Sequence, residues 1–235
     1  MPVRPDLITD LFEKEATYWW NVSKRELVFS LLEGIGFWAK TNRGFAVDIG
    51  CGGGCMVKVL EPHCPTIGVD VSRDALLLCR SRNLSRLCQV DMTNLSLPFK
   101  NNSFDLVLAL DVIEHIDDDV HALTECRRIL RPGGLIIVTV PAFMWLWNPW
   151  DEALGHRRRY TAFMLTEAMR RAGLAVHKMT YTFFFVFPIA VLVRGIKRLI
   201  QKSASYYSSD FIPIPGILNR ALIQVGRLEC WIITK

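Results

Sequence analysis

The sequence predicts an α/β fold: a doubly wound, mostly parallel sheet with helices on both faces, an N-terminal helical cap and a helical C-terminal extension. Three observations carry this expectation. Short apolar runs alternate with segments of helical period through the middle of the chain. The connections between them are short, which favours right-handed crossovers between parallel strands. One run, FDLVLAL, is apolar throughout, as a strand buried on both faces requires.

The elements follow in order. Residues of about 6–40 read as helical, with Leu27, Leu31 and Leu32 recurring at helical spacing until Gly34 and Gly36 break the pattern. GFAVDIG is a first strand running into a glycine cluster, and GCMVKVLE a helix. TIGVD is a second strand, and SRDALLLCRSR a helix that Ser72 can cap. LCQVD and FDLVLAL are the third and fourth strands. DDDVHALTECRRIL is a helix closed by RPGG, LIIVTVP the fifth strand, residues 161–172 a helix and AVHKMTYTFFF a sixth strand. The 235 residues suit one domain, divided into a cap at 1–43, a core at 44–185 and a tail at 186–235.

Composition narrows the function. The net charge of +5 permits an anionic substrate or a lipid surface without demanding nucleic acid, and no nucleic-acid-binding signature is present. Seven scattered cysteines with no CxxC pair argue against a disulfide framework or a zinc site, so no metal is expected and a cytoplasmic setting is. The apolar run Phe183–Val193 is interrupted by Pro188 and falls short of the ~20 residues of a spanning helix, so it reads as core. In the tail, Leu218, Leu222, Val225 and Leu228 share one helical face with Arg220 and Arg227 off it. Such a helix suits either peripheral contact with an anionic membrane or the cover of a pocket.

The chemistry lies at the strand ends. After strand one stand Asp48, Gly50, Cys51, Gly52 and Gly54, where glycines let the backbone approach a ligand and turn sharply into a helix. The nicotinamide fingerprint wants Gly or Ala where Cys55 stands, and Asp48 would be a poor neighbour for a pyrophosphate. Strand two ends at Asp70, which can accept from ribose hydroxyls, followed by Val71. Strand three ends at Asp91, suited to an adenine amino group, with Met92 against the ring. Three acids on adjacent strand ends fit a positively charged nucleoside better than a phosphorylated one.

VDIGCGGG, GVD and the block LPFKNNSFDLVLALDVIEHIDDDVHALTECRRILRPGG together resemble class I S-adenosylmethionine-dependent methyltransferases, over about Glu13 to Pro188. The resemblance implies a Rossmann-like sheet. It implies that Asp48 and Gly50, Gly52 and Gly54 frame the methionine end of the cofactor, Asp70 holds the ribose, Asp91 and Met92 the adenine, and Leu110 lies near the methyl. YWW with Arg25, VPAFMWLWNPWD and GHRRRYT resemble a bacterial-type subfamily and are thereby placed around the mouth of the site. The family's final strand hairpin has little room before WIITK.

Methyl transfer needs an oriented nucleophile and, for a hydroxyl, a proton acceptor, which histidine suits. His115 and His156 are the candidates, while Asp111 reads as a turn cap. Arg25 could pair with the cofactor carboxylate and Trp20 cover it. Trp147, Arg157, Arg158 and Tyr160 are expected to shape an acceptor pocket under a lid, with at least one arginine of Arg157, Arg158 and Arg159 turned inward to Asp151 or to substrate. The reading is O-methylation of a small or lipid-linked acceptor. Its alternatives are a catalytically silent S-adenosylmethionine-binding scaffold and, disfavoured by Asp48 and Cys55, a nicotinamide oxidoreductase. The oligomeric state is not encoded in any motif.

Overall fold

The computed structural model describes residues 14–41, 44–92, 96–200 and 214–235. Five strands form one parallel sheet: β1 (Ala46–Ile49), β2 (Thr66–Asp70), β3 (Leu87–Gln89), β4 (Phe104–Leu110) and β5 (Leu130–Thr139), in the order β3-β2-β1-β4-β5. Asp48 lies in register with Gly68 on one side and Leu108 on the other. The order reverses between β1 and β4, so the crevice outside their carboxyl ends is where this architecture binds ligands.

The sequence builds this sheet by burial. β1 is buried along its whole length, and Leu106, Val107, Leu108 and Ala109 of β4 are wholly inaccessible. Helices α1 (Trp19–Gly34), α2 (Phe37–Thr41) and α3 (Cys55–Leu60) precede α4 (Arg73–Ser81) and α5 (Asp119–Ile129). Ser72 caps α4 by accepting from the Ala75 amide at 3.2 Å, as its side chain predicts. Asp118 caps α5 in the same way through His121 N. After β5 come α6 (Pro149–Leu154), α7 (Ala162–Arg171), α8 (Phe187–Ile200) and α9 (Gly216–Thr234).

Four features differ from the sequence reading. The helical stretch is interrupted at residues 16–18 ahead of α1, whereas its break after Gly34, where Gly36 adopts a left-handed φ of 65°, falls where the glycines predict it; the part before Lys14 lies outside the described residues. RPGG does not precede β5 but lies within it: Phe104 pairs with Leu130 and Leu106 with Leu135, so Arg131–Gly134 form an irregularity in the strand. AVHKMTYTFFF forms no sixth strand. The backbone reverses at Phe183 (φ 62°), and the Glu229 carboxylate of α9 accepts from the Phe183 and Phe185 amides, donors that a sheet ladder would need.

The tail helix also turns differently from the apolar face read in the sequence. Gly226, Glu229, Cys230 and Ile233 are buried, whereas Leu218 and Leu228 are 46% and 51% exposed. The reason is close helix contact: a Cβ on Gly226 would lie 2.2 Å from Ser23 Oγ, so α9 packs on α1 through small residues. Asn219 bridges Trp19 N and Thr17 O at 2.9 Å each, and Arg227 pairs with Glu26 at 2.7 Å. Among the described residues no helix is long and apolar enough to cross a membrane.

Candidate active site

The β1–α3 loop requires its glycines. Gly50, Gly52 and Gly54 have φ of 71°, 53° and 80°. A Cβ on Gly50 would lie 2.4 Å from Val112 Cγ2, and one on Gly54 2.4 Å from Leu84 Cδ1. Asp70, at the end of β2, accepts from Gly52 N at 2.9 Å and Ser72 N at 2.8 Å, tying the loop to the next strand. Glu15 reaches the same loop, accepting from Cys55 N at 3.1 Å and pairing with Arg82 at 2.9 Å.

Acid accumulates here. Burial first, then Glu15 and Asp70, push the Asp48 carboxyl well above its usual range, and burial also raises Asp70 despite its backbone hydrogen bonds. A phosphate would aggravate this repulsion; a ligand carrying ammonium and sulfonium charge relieves it. The residues therefore fit a cationic nucleoside such as S-adenosylmethionine.

The loop opens into a cavity of about 2240 Å³. Asp48, Gly50, Cys51, Gly52, Asp70, Val71 and Leu110 line it, and so do Trp20 and Arg25 from α1. Gly54 does not line it and serves the turn into α3. Asp91 is exposed and Met92 packs against the core; neither reaches the cavity wall. Trp20 stacks on Phe183 with ring centroids 4.2 Å apart, which places the YWW segment in the roof. Arg25 donates to the backbone carbonyls of Glu15 and Ala16.

Next to β1, β4 ends at Leu110 and the chain turns through Asp111, whose φ is 55°. Lys24 of α1 pairs with Asp111, and Thr139 donates to it at 2.8 Å. Neither partner was evident in the sequence, because Lys24 lies on a distant helix. Glu114 and His115 follow in a 3₁₀ turn, and His156 comes from the segment after α6; the two imidazoles meet edge to face with centroids 4.8 Å apart. Burial, then His156, lowers the His115 pKa to about 4, so its imidazole is neutral at physiological pH. Glu114 is fully buried, and burial with Asp111 pushes its carboxyl well above the usual range.

The GHRRRY segment after α6 divides its three arginines. Arg159 turns inward, 7% exposed, and donates two bonds of 2.8 Å to Asp151. Asp151 also accepts from His156 Nδ1 at 2.8 Å and closes a capping box with Asn148 at the start of α6. Arg157 and Arg158 do not line the cavity. They pair with Asp117 of the β4–α5 connection and with Asp119, the first residue of α5, at 3.2 and 3.1 Å, because that acidic turn lies directly against them. Tyr160 lines the cavity and donates to Asp119 at 2.8 Å. Trp147 also lies off the cavity, its indole donating to Glu152 at 3.4 Å, while Leu146 and Trp150 line it.

Comparison with known proteins agrees with this fold. Residues 47–138 match the methyltransferase-domain family model. A probable S-adenosylmethionine-dependent methyltransferase of Mycolicibacterium smegmatis is 31% identical over 169 residues, 69% of this chain and 61% of that protein. A ubiquinone biosynthesis O-methyltransferase of Pseudomonas aeruginosa is 28% identical over 141 residues, 54% of this chain and 60% of its own length. The chain spans only 47% of another relative, a 37.1 kDa transposon protein of Streptomyces fradiae. Among solved structures, a SAM-dependent methyltransferase of Thermotoga maritima is 29% identical with a TM-score of 0.52, covering 71% of this chain and 79% of that one. One from Mesorhizobium loti, 18% identical, shares the fold at a TM-score of 0.53 over 66% of this chain and 86% of its own. With the acid-ringed glycine loop, these likenesses show that this chain carries a class I S-adenosylmethionine-dependent methyltransferase domain, with S-adenosylmethionine as the cofactor of that domain.

Proposed function

We propose that the chain catalyses methyl transfer from S-adenosylmethionine to an oxygen of a small or lipid-linked acceptor. The observation that carries this reading is the paired imidazoles of His115 and His156 on the wall of the cavity that the glycine loop opens into. When bound, the cofactor supplies a methyl group already activated on sulfonium. This chain's work is to orient the acceptor oxygen, exclude water and receive the hydroxyl proton. His115, held neutral, suits the last task, and Asp151 orients His156 beside it.

An apolar acceptor suits the remaining walls. Phe183, Phe187, Ile189, Leu218 and Leu222 line the cavity beyond the histidines. That lining can take an aliphatic or isoprenoid tail while a hydroxylated head meets the imidazoles. The ubiquinone O-methyltransferase relatives supply the same class of acceptor by analogy. Peripheral contact with a membrane through α8 and α9 would let such a tail enter: Ile189, Leu192 and Ile217 are 61%, 63% and 81% exposed.

The test is a transfer assay with isotopically labelled methyl donor and hydroxylated aromatics, each with and without an isoprenoid tail. Label in an ether product, favoured by the tail, supports the reading. Tight cofactor binding with no product from any oxygen, nitrogen or carbon acceptor would instead indicate a silent binding protein.

A further inference from the structure

We propose that Glu114, His115 and His156 form a site for a divalent metal ion of the zinc class, open toward the acceptor cavity. One ligand atom from each of the three lies within 4.8 Å of the others. Two imidazoles and one carboxylate are the donor set of many catalytic zinc sites, which keep a further position for substrate. All three residues line the cavity, so that position faces the space beside Leu110.

Two further observations point to a cation. Glu114 is completely buried, yet neither carboxylate oxygen has a hydrogen-bond partner. The neighbouring charges do not neutralise it. Lys24 pairs with Asp111 and Arg159 with Asp151, which leaves the Glu114 carboxylate as the unmatched member of the group. A buried carboxylate in that position calls for a proton or a cation. A cation takes the oxygens directly and would displace the proton.

The surroundings orient the ligands as metal sites do. His156 Nδ1 is bonded to Asp151, so Nε2 is the nitrogen presented to Glu114, 4.0 Å from Oε1. Asp151 is in turn gripped by Arg159. A carboxylate behind a histidine fixes its tautomer and strengthens it as a ligand. Bonds of about 2.0–2.1 Å would draw the three donor atoms together by roughly an ångström, within reach of side-chain rotation. This inference deepens the methyltransferase reading: with the ion bound, His115 and His156 would serve as ligands in place of a proton acceptor, and the ion would acidify the acceptor hydroxyl so that its proton passes to solvent before transfer. Binding of the ion does not depend on that reading.

The experiment titrates the chelator-stripped full chain with Co²⁺ and with Zn²⁺ in the absence of cofactor. The expected result is one equivalent of Co²⁺ with visible ligand-field absorption and no sulfur-to-metal charge-transfer band, since seven cysteines are the competing donors. Zn²⁺ should displace it and raise the melting temperature. Glu114→Gln and His156→Gln should each abolish the absorption, and Asp151→Asn should weaken affinity about ten- to a hundredfold. Circular dichroism confirms that each variant is folded; where Glu114→Gln does not fold, His115→Asn replaces it. No uptake, thiolate-type absorption, or uptake unchanged in the folded variants would overturn the proposal. Cofactor affinity, measured separately by calorimetry, shows whether the methyltransferase reading stands or falls independently.

Discussion

Arg159 and Asp151 form a two-bond ion pair, both contacts 2.8 Å, that joins the end of the GHRRR segment to the first turn of α6 inside the protein. The pair explains why three consecutive arginines stand here: only one is internal. It predicts an unequal response to substitution. Arg159→Gln leaves a buried carboxylate without its main partner and should cost about 3–5 kcal/mol of stability. Arg157→Gln removes a contact to an Asp117 side chain that is 78% exposed and should change stability by no more than ~1 kcal/mol. Urea unfolding of both variants measures the contrast. Equal effects would show that the lid is not anchored through Arg159.

The same pair sets an acid limit. Burial pushes the Asp151 carboxyl up, but His156 and Arg159 outweigh it and hold the group below the usual aspartate range. A carboxyl depressed in the folded state stabilises it fully above the unfolded value of about 3.9, and that contribution is lost as pH falls through the folded value. The stability gap between wild type and Asp151→Asn should therefore be constant near neutrality and shrink below about pH 4. Chemical denaturation across that range is the check; a gap that widens with acid would contradict the assignment.

Glycine substitutions separate the turn from the helix. Gly54→Ala imposes a left-handed φ of 80° on a residue whose Cβ would meet Leu84 at 2.4 Å and Cys79 Sγ at 2.8 Å. It should cost about 1–3 kcal/mol and lower cofactor affinity. A Cβ added at Gly195 in α8 would meet no atom within 4 Å beyond its own helix, so Gly195→Ala should stabilise by about 0.5–1 kcal/mol. Thermal melts of the two variants should move in opposite directions.

How far the sequence disclosed this depends on whether a local pattern or a distant contact decides the structure. Strands one to five follow from short, mostly apolar runs, save that β5 begins at Leu130, ahead of LIIVTVP, and the Ser72 cap follows from one hydroxyl. The glycine loop and Asp70 are contiguous motifs, so their meeting on adjacent strand ends was foreseeable. The sixth strand failed because Glu229, 46 positions from Phe183, takes the amides a ladder would use. Likewise Arg157 and Arg158 look like an acceptor clamp until the β4–α5 acids come alongside. The Asp111–Lys24 pair and the grouping of Glu114 with His156 depend on tertiary approach that no spacing rule encodes.

The central claim is that an acid-ringed glycine loop holds a cationic nucleoside cofactor, and calorimetric titration of the full chain tests it most directly. S-adenosylmethionine should bind with one site per chain, NAD and ATP should give no comparable heat, and Asp70→Ala should weaken S-adenosylmethionine binding by about 1.5–3 kcal/mol, the range for hydrogen bonds to a charged group. Dinucleotide binding tighter than S-adenosylmethionine binding, or folded protein that shows no S-adenosylmethionine heat at all, would contradict the account.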